Sequence, residues 1–381
     1  MKINLNYKTL FNYLIDYSIC EKDELKYINI DISSSRNFNW VLDLPENKGK
    51  LIIKQKPEYS KFEKENRIEK ELHIYRFLES NQDLVYVSSL TPEILHFDES
   101  NAILICKLPN DCINLDKYYK NQQAFPSTVA ELIGKTLAKL HSETMNCQDC
   151  YTFRKQFEAD KLHYQVPLPD YISDLLVSRI QPECLKKIPV PSWRFFGILQ
   201  HSENVRKVIT ELVFNYHRCC LTHNNAQLNK FLITRQWEKL LSNTEDSQKS
   251  LIKLIDWEAC SWGDPAYDLG KVIAGYFLFW LNSMVVNPAI EIKQSLQLAT
   301  IPLEVVRPSI VTITKYYIST YPEILENYPE FLKRIIQFAG LALIYQILAA
   351  LQMNQDMNSQ LLIYYYVATQ LLCKPEKFMS I

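Results

Sequence analysis

The chain has 381 residues, a net charge of −1, 47% hydrophobic and 22% charged residues. That length exceeds one small core and implies two domains or lobes, and the composition is that of an ordinary soluble globular protein. Near-zero charge excludes a general electrostatic attraction to nucleic acid or to a membrane surface, so neither is expected as a partner. Seven glycines are few and 23 tyrosines many, which matters because loops that cradle phosphate usually rely on glycine.

The opening Met1-Lys-Ile-Asn-Leu-Asn6 lacks the apolar core of a signal peptide, and the ten cysteines are scattered. Both point to a cytoplasmic protein with free thiols. Cys147-Gln-Asp-Cys150 has no second pair and no histidine cluster nearby, so it reads as a loop after a helix and not as a metal site. No run approaches 18 uninterrupted apolar residues; Ala274–Leu281 and Leu341–Leu351 read as buried helices.

In chain order, an amphipathic helix over Tyr7–Ser18 opens the sequence. Ile28–Ile32 and Trp40–Leu44 read as strands around the polar turn Ser33–Asn39, and Leu51–Gln55 as a short buried strand carrying Lys54. A charged helix, roughly Lys61–Glu79, has Ile68, Leu72, Tyr75 and Leu78 as its apolar stripe with Glu71 beside it. Thr91–Phe97 and Ala102–Leu108 form another strand pair. The expected organisation is a small α+β lobe over residues 1–105, a polar linker over 106–116 and a helical lobe over 117–381, with an insertion at about 145–205. Within the helical part, helices are expected at 267–284, 302–320, 322–338, 340–353 and 359–372. Leu240–Ser250 reads as an exposed hairpin loop.

Two stretches carry the chemistry. His223-Asn-Asn-Ala-Gln-Leu-Asn-Lys230 is a polar loop closed by the strand Phe231–Ile233. Leu254-Ile-Asp-Trp-Glu258, followed by Gly263-Asp-Pro-Ala-Tyr-Asp-Leu269, is a strand ending on an acid, then a turn and a helix start. With Lys54, Glu71 17 residues later, Pro92–Phe97 and Leu137–His141, this order resembles the aminoglycoside phosphotransferase and choline kinase family over about residues 30–280. The resemblance implies an α+β, bilobal protein-kinase-like fold. It implies that Lys54 holds the α- and β-phosphates of ATP, that Glu71 orients Lys54, and that Asp256 is a ligand for Mg2+, a hard cation that prefers oxygen. Cys106 and Leu108 would lie in the segment that reads the adenine edge, and Ser34 and Arg36 in the loop over the phosphates. His223 would brace its loop, His141 would be a packed core histidine, and Asp264 and Asp268 would hold backbone, Asp264 as the cap of the next helix.

The sequence departs from the family pattern where chemistry is done. The family loop reads His-x-Asp-x-x-x-x-Asn; here Asn225 stands at the aspartate and Lys230 at the asparagine. An amide cannot accept the acceptor hydroxyl's proton, and losing such a base costs about 10²–10⁴ in rate. An ammonium cannot ligate a metal, although its charge can partly stand in for one; Asn229 is one residue early. Two lesions imply a pseudokinase, one that binds nucleotide through a weakened Mg2+ site, or a protein or peptide partner through the 145–205 insertion and the tyrosine-rich C-terminal helices. The competing reading is an active ATP/Mg2+-dependent phosphotransferase acting on a hydroxyl of a small molecule or of a Ser/Thr peptide, as in ribosomal-peptide modification. A third is transfer of a different group, such as adenylyl.

Overall fold

The computed structural model describes residues 3–22, 24, 29–34, 38–45, 49–56, 67–109, 111–145, 147–159, 190–243, 250–287, 289–353 and 356–379. Arg36, the loop tip 244–249, about half of the expected 145–205 insertion (160–189) and the expected start of the charged helix (61–66) lie outside the described residues. The chain divides into two compact units. The first comprises Met1–Asn121, Tyr151–Phe153 and Asn229–Cys260; the second Gln122–Cys150, Arg154–Leu228 and Ser261–Ile381.

The first unit is built on an antiparallel sheet of β1 (Asn29–Ser34), β2 (Phe38–Asp43), β3 (Lys50–Gln55), β4 (Glu93–Asp98) and β5 (Ile103–Leu108), in the order β1-β2-β3-β5-β4. Alternation along a strand assigns the two faces. Leu51 and Ile53 of β3, with Ile103 and Ile105 of β5, join Trp40 and Leu42 in one buried cluster, which the helix α1 (Tyr7–Asp16) covers with Leu10, Tyr13 and Leu14. Each such buried aliphatic or aromatic side chain contributes about 1.5–3 kcal/mol. Asn6 starts α1 through a capping box, its side chain accepting from the N–H groups of Lys8 and Thr9 while the Thr9 hydroxyl accepts from the Asn6 N–H.

The intervening residues Ile52 and Lys54 take the opposite face, where register sets Lys50, Ile52 and Lys54 beside Leu108, Cys106 and Leu104. The turn before β3 needs a glycine: Gly49 has φ +114°, and a Cβ there would come within 2.7 Å of the Leu108 carbonyl oxygen. The helix α2 (Arg67–Ser80) supplies Glu71. A smaller antiparallel sheet, β6 (Cys112–Asn114), β8 (Phe231–Thr234) and β9 (Ile252–Leu254), completes the unit.

The second unit is mostly helical, with one short antiparallel pair, β7 (Cys220–Thr222) and β10 (Ser261–Gly263). Helix Pro265–Asn282 packs on Phe331–Gln352, Phe331–Gln352 on Ser359–Cys373, and Ser127–Met145 on Leu303–Thr320. The separate helices expected at 322–338 and 340–353 are instead a short helix, Glu323–Asn327, and one long continuous helix, Phe331–Gln352. Gly340 does not break that helix. It lets a neighbour approach, since a Cβ there would sit 2.9 Å from both the Ala368 carbonyl oxygen and Leu372 Cγ. Phe331–Gln352 is also, among the described residues, the one helix long and apolar enough to cross a bilayer, yet 72% of that apolar window is buried within the protein. The Cys147–Cys150 segment is not a loop: Cys147 precedes helix Gln148–Ala159, and its sulfur accepts the Cys150 N–H at 3.2 Å. Helix Trp237–Asn243 likewise occupies the first part of the expected 240–250 loop.

Candidate functional site

Each unit holds one cluster of the residues singled out above. In the first, Lys54 projects from β3 and is 5% exposed. Its Nζ donates to Glu71 Oε2 at 2.6 Å and to Asp256 Oδ1 at 2.8 Å. Glu71 is fully buried. Its other oxygen, Oε1, accepts the Tyr75 hydroxyl at 2.6 Å, one helical turn along α2, and the Trp257 backbone N–H at 3.0 Å. Three donors therefore converge on one buried carboxylate, which satisfies it in full.

Asp256 does not end a strand, as the sequence suggests; β9 stops at Leu254. It takes a left-handed conformation, φ 72°, before the single turn Trp257–Ala259, a conformation that aspartate tolerates better than most residues. The ladder between β8 and β9 pairs Phe231 with Leu254, and the Ile255 N–H extends it by donating to the Lys230 carbonyl at 3.1 Å. That register sets Lys230 beside Asp256, and Lys230 Nζ reaches Asp256 Oδ2 at 2.5 Å. The side chain of Asn229 is exposed, so Lys230 and not Asn229 stands at the carboxylate.

Burial alone would raise the Asp256 carboxyl, but the Lys54 and Lys230 ammonium groups outweigh it and hold it well below the usual carboxylate range. Burial would likewise lower the Lys54 ammonium; Asp256, Glu71 and Glu258 together push it above its ordinary value. Burial, reinforced by Glu71, pushes the Tyr75 hydroxyl up. The Cys106 thiol is raised by the same two causes, with Lys54 acting against them. Cys106 lies within the sheet, opposite Ile52 on one side and Ile94 on the other, while Leu108 pairs with Lys50 beyond the end of the β4 ladder. Leu108 joins Ile52, Cys112 and Leu232 in a small buried apolar cluster against which Ile255 packs. Ser34 ends β1; its side chain and Arg36 lie outside the described residues.

In the second unit the loop after β7 hangs from Asp268, which is fully buried. Asp268 Oδ2 accepts the His223 N–H at 2.7 Å and Oδ1 accepts the Asn224 N–H at 2.8 Å. His141 Nε2 lies 3.3 Å from Oδ2, and its Nδ1 lies 3.0 Å from the Tyr317 hydroxyl. Burial raises the Asp268 carboxyl, but His141 and His223 prevail and the net displacement is downward. His223 is buried, and its Nδ1 accepts the Asn225 N–H at 3.3 Å. The Asn225 carbonyl accepts from Gln227 at 2.7 Å. Both histidines are thus brackets in the loop frame.

Three residues in this frame were not singled out from the sequence. Asn224 has φ 58°, its Oδ1 accepts the Thr222 hydroxyl at 3.0 Å and its Nδ2 donates to Ser261 Oγ at 2.6 Å. Gly263 faces the same group, and a Cβ there would lie 2.3 Å from Thr222 Oγ1. Arg334 pairs with Asp264 Oδ2, while Asp264 Oδ1 accepts the Ala266 N–H at 3.0 Å and caps the helix that Pro265 begins. A signal existed for Asn224: asparagine is among the few non-glycine residues that accept positive φ.

No protein-family model matches the chain, and no curated protein does. Solved structures do. An ethanolamine kinase from Plasmodium vivax aligns over 100% of this chain and 93% of its own, with 16% identity and a TM-score of 0.54. A choline/ethanolamine kinase family protein from Mesorhizobium loti aligns over 97% of each chain, at 13% identity and TM-score 0.48. A choline kinase from Streptococcus pneumoniae aligns over 95% of this chain and 99% of its own, at 13% and 0.46. On the first of these, the chain has the bilobal, α+β protein-kinase-like fold of the choline and ethanolamine kinases.

Proposed function

We propose that the chain is a pseudokinase: a kinase-like protein whose phosphoryl transfer is impaired and whose role rests on binding a nucleotide, a protein or peptide partner, or both. The observation that carries this reading is the tip of the second unit's loop. Asp268 and His223 hold the backbone of that loop by three hydrogen bonds, to His223, Asn224 and Asn225, so the frame that would aim a catalytic base is intact. The residue that it aims is an amide. Asn225 can orient a hydroxyl group, but it has no basicity near neutral pH, and the missing proton acceptor costs about 10²–10⁴ in rate.

One observation favours residual activity on a hydroxyl acceptor. The Lys54–Glu71 pair, the phosphate-holding pair of the resemblance, is closed at 2.6 Å and buried, and because phosphoryl transfer passes through a loose transition state, positioning alone supports a slow reaction.

ATP turnover by the full chain separates the two. The pseudokinase reading expects rates far below the roughly 1–100 s⁻¹ of ordinary kinases, and expects Asn225→Asp combined with Lys230→Asn to raise them. Magnesium-dependent turnover of the wild type at ordinary kinase rates would overturn it.

A further inference from the structure

The first unit and a divalent cation do not fit one another. Asp256 is the carboxylate that the resemblance gives to magnesium, yet each of its oxygens already faces an ammonium, Oδ1 that of Lys54 at 2.8 Å and Oδ2 that of Lys230 at 2.5 Å. Mg2+ requires near-octahedral oxygen ligation at about 2.0–2.1 Å, and a cation brought to Oδ2 would meet Lys230 first. Among the described residues there is no group of three or more His, Cys, Asp or Glu side chains suited to a metal.

We infer that the Lys230 ammonium occupies the divalent cation's place, so that the first unit takes the polyphosphate of a nucleotide as the metal-free anion. This rests on the nucleotide-binding part of the reading above. An ammonium carries three donors. Lys54 uses two, on Glu71 and Asp256, and Lys230 uses one, on Asp256. The donors left on the two lysines can reach phosphate oxygens while both stay anchored to Asp256, which is the bridging task a metal ion performs between carboxylate and phosphate. Lys230 keeps 16% of its side chain exposed and is the outer of the two.

The side chains next to the ammonium pair are apolar. Ile52 lies two residues from Lys54 on the same face of β3, and Ile255 adjoins Asp256, so the apolar cluster with Leu108, Cys112 and Leu232 begins where the ammonium pair ends. The formal charges of Lys54, Lys230, Glu71 and Asp256 cancel, and Glu258 adds a negative charge that Lys54 feels. The site therefore offers directed donors without a strong positive field, for which modest affinity is the expected result.

Calorimetric titration of the full chain with ATP, once in EDTA and once in excess Mg2+, tests this. The expected result is binding in EDTA that magnesium does not strengthen. Lys230→Asn removes the resident charge; it should weaken metal-free binding about 10–100-fold and make added Mg2+ tighten binding. Lys230→Arg, which keeps the charge, should retain metal-free binding, and thermal unfolding checks that both variants are folded. Wild-type binding that requires Mg2+, or no binding of millimolar ATP in EDTA, overturns the inference. Neither outcome touches the impaired-transfer reading, which fails on turnover alone.

Discussion

Replacing Glu71 by glutamine tests whether the buried ion cluster of the first unit holds that unit together. The substitution keeps size and shape and removes one charge. The new amide must choose: with its oxygen toward Tyr75 and Trp257, whose donors lie at 2.6 and 3.0 Å, its NH2 faces the Lys54 ammonium, donor against donor. Breaking a buried pair by removing one partner costs about 3–5 kcal/mol. Lys54 keeps Asp256 at 2.8 Å, which places Glu71→Gln near the lower end, about 3 kcal/mol. At about 2–4 °C per kcal/mol for a unit of this size, thermal unfolding should shift down by roughly 6–12 °C, and the urea midpoint should move with it. Tyr75→Phe removes one donor while Glu71 Oε1 keeps the Trp257 N–H, so it should cost only about 0.5–1.5 kcal/mol. Lys54→Met combined with Glu71→Met should cost less than the sum of the two single changes, because no orphaned charge remains between those positions. The reasoning is refuted if Glu71→Gln costs no more than Tyr75→Phe, which would mean that the cluster is hydrated and that Lys54 is not committed to it.

Two further outcomes follow from the same geometry. The folded Asp256 carboxyl is held below its unfolded value of about 3.9, so its contribution to stability is complete above that value and is lost as pH falls through the folded value; Asp256→Asn should therefore remove part of the acid limb of a stability–pH profile measured by urea midpoints, and an unchanged limb below about pH 4 would contradict this. At Asn224, where φ is 58°, Asn224→Ala loses the Thr222 and Ser261 hydrogen bonds and adds backbone strain, about 2–3 kcal/mol together, whereas Asn224→Gly is spared the strain; equal midpoints for the two variants would show that the loop does not depend on its left-handed residue.

Much of this was legible before the structure. The strands around Lys54, the position of Glu71 on its helix and the acid at 256 follow from short apolar runs, turn composition and motif spacing, all local signals. In the structure Lys54, Glu71 and Asp256 meet within 2.8 Å. Lys230 was legible as a departure but not as a partner: read along the chain it is a cation where a metal ligand belongs, and only the pairing of β8 with β9 puts its ammonium on Asp256. The break expected near residue 339 is absent for a related reason: Gly340 sits inside one continuous helix and admits the packed Ala368 carbonyl, a contact that no local signal announces. The Asp264–Arg334 pair joins residues 70 positions apart, and nothing local announces it.

The two buried carboxylates and the two partly exposed side chains are constrained differently. Glu71 and Asp268 are fully buried carboxylates; Glu71 accepts one backbone N–H and Asp268 accepts two. Removing either would cost the fold directly, since a buried polar group without a partner is expensive whether or not the protein catalyses anything. Their presence is thus accounted for by stability, and it says nothing of activity. Asn225 and Lys230 are different. Both are partly exposed, and their backbone bonds, from Asn225 to His223 and Gln227 and from Lys230 to Ile255, are made by N–H and C=O groups that any non-proline side chain would leave in place. Those two positions are therefore less bound by backbone pairing than Glu71 and Asp268, and substitutions there probe function more directly than substitutions in the buried frame.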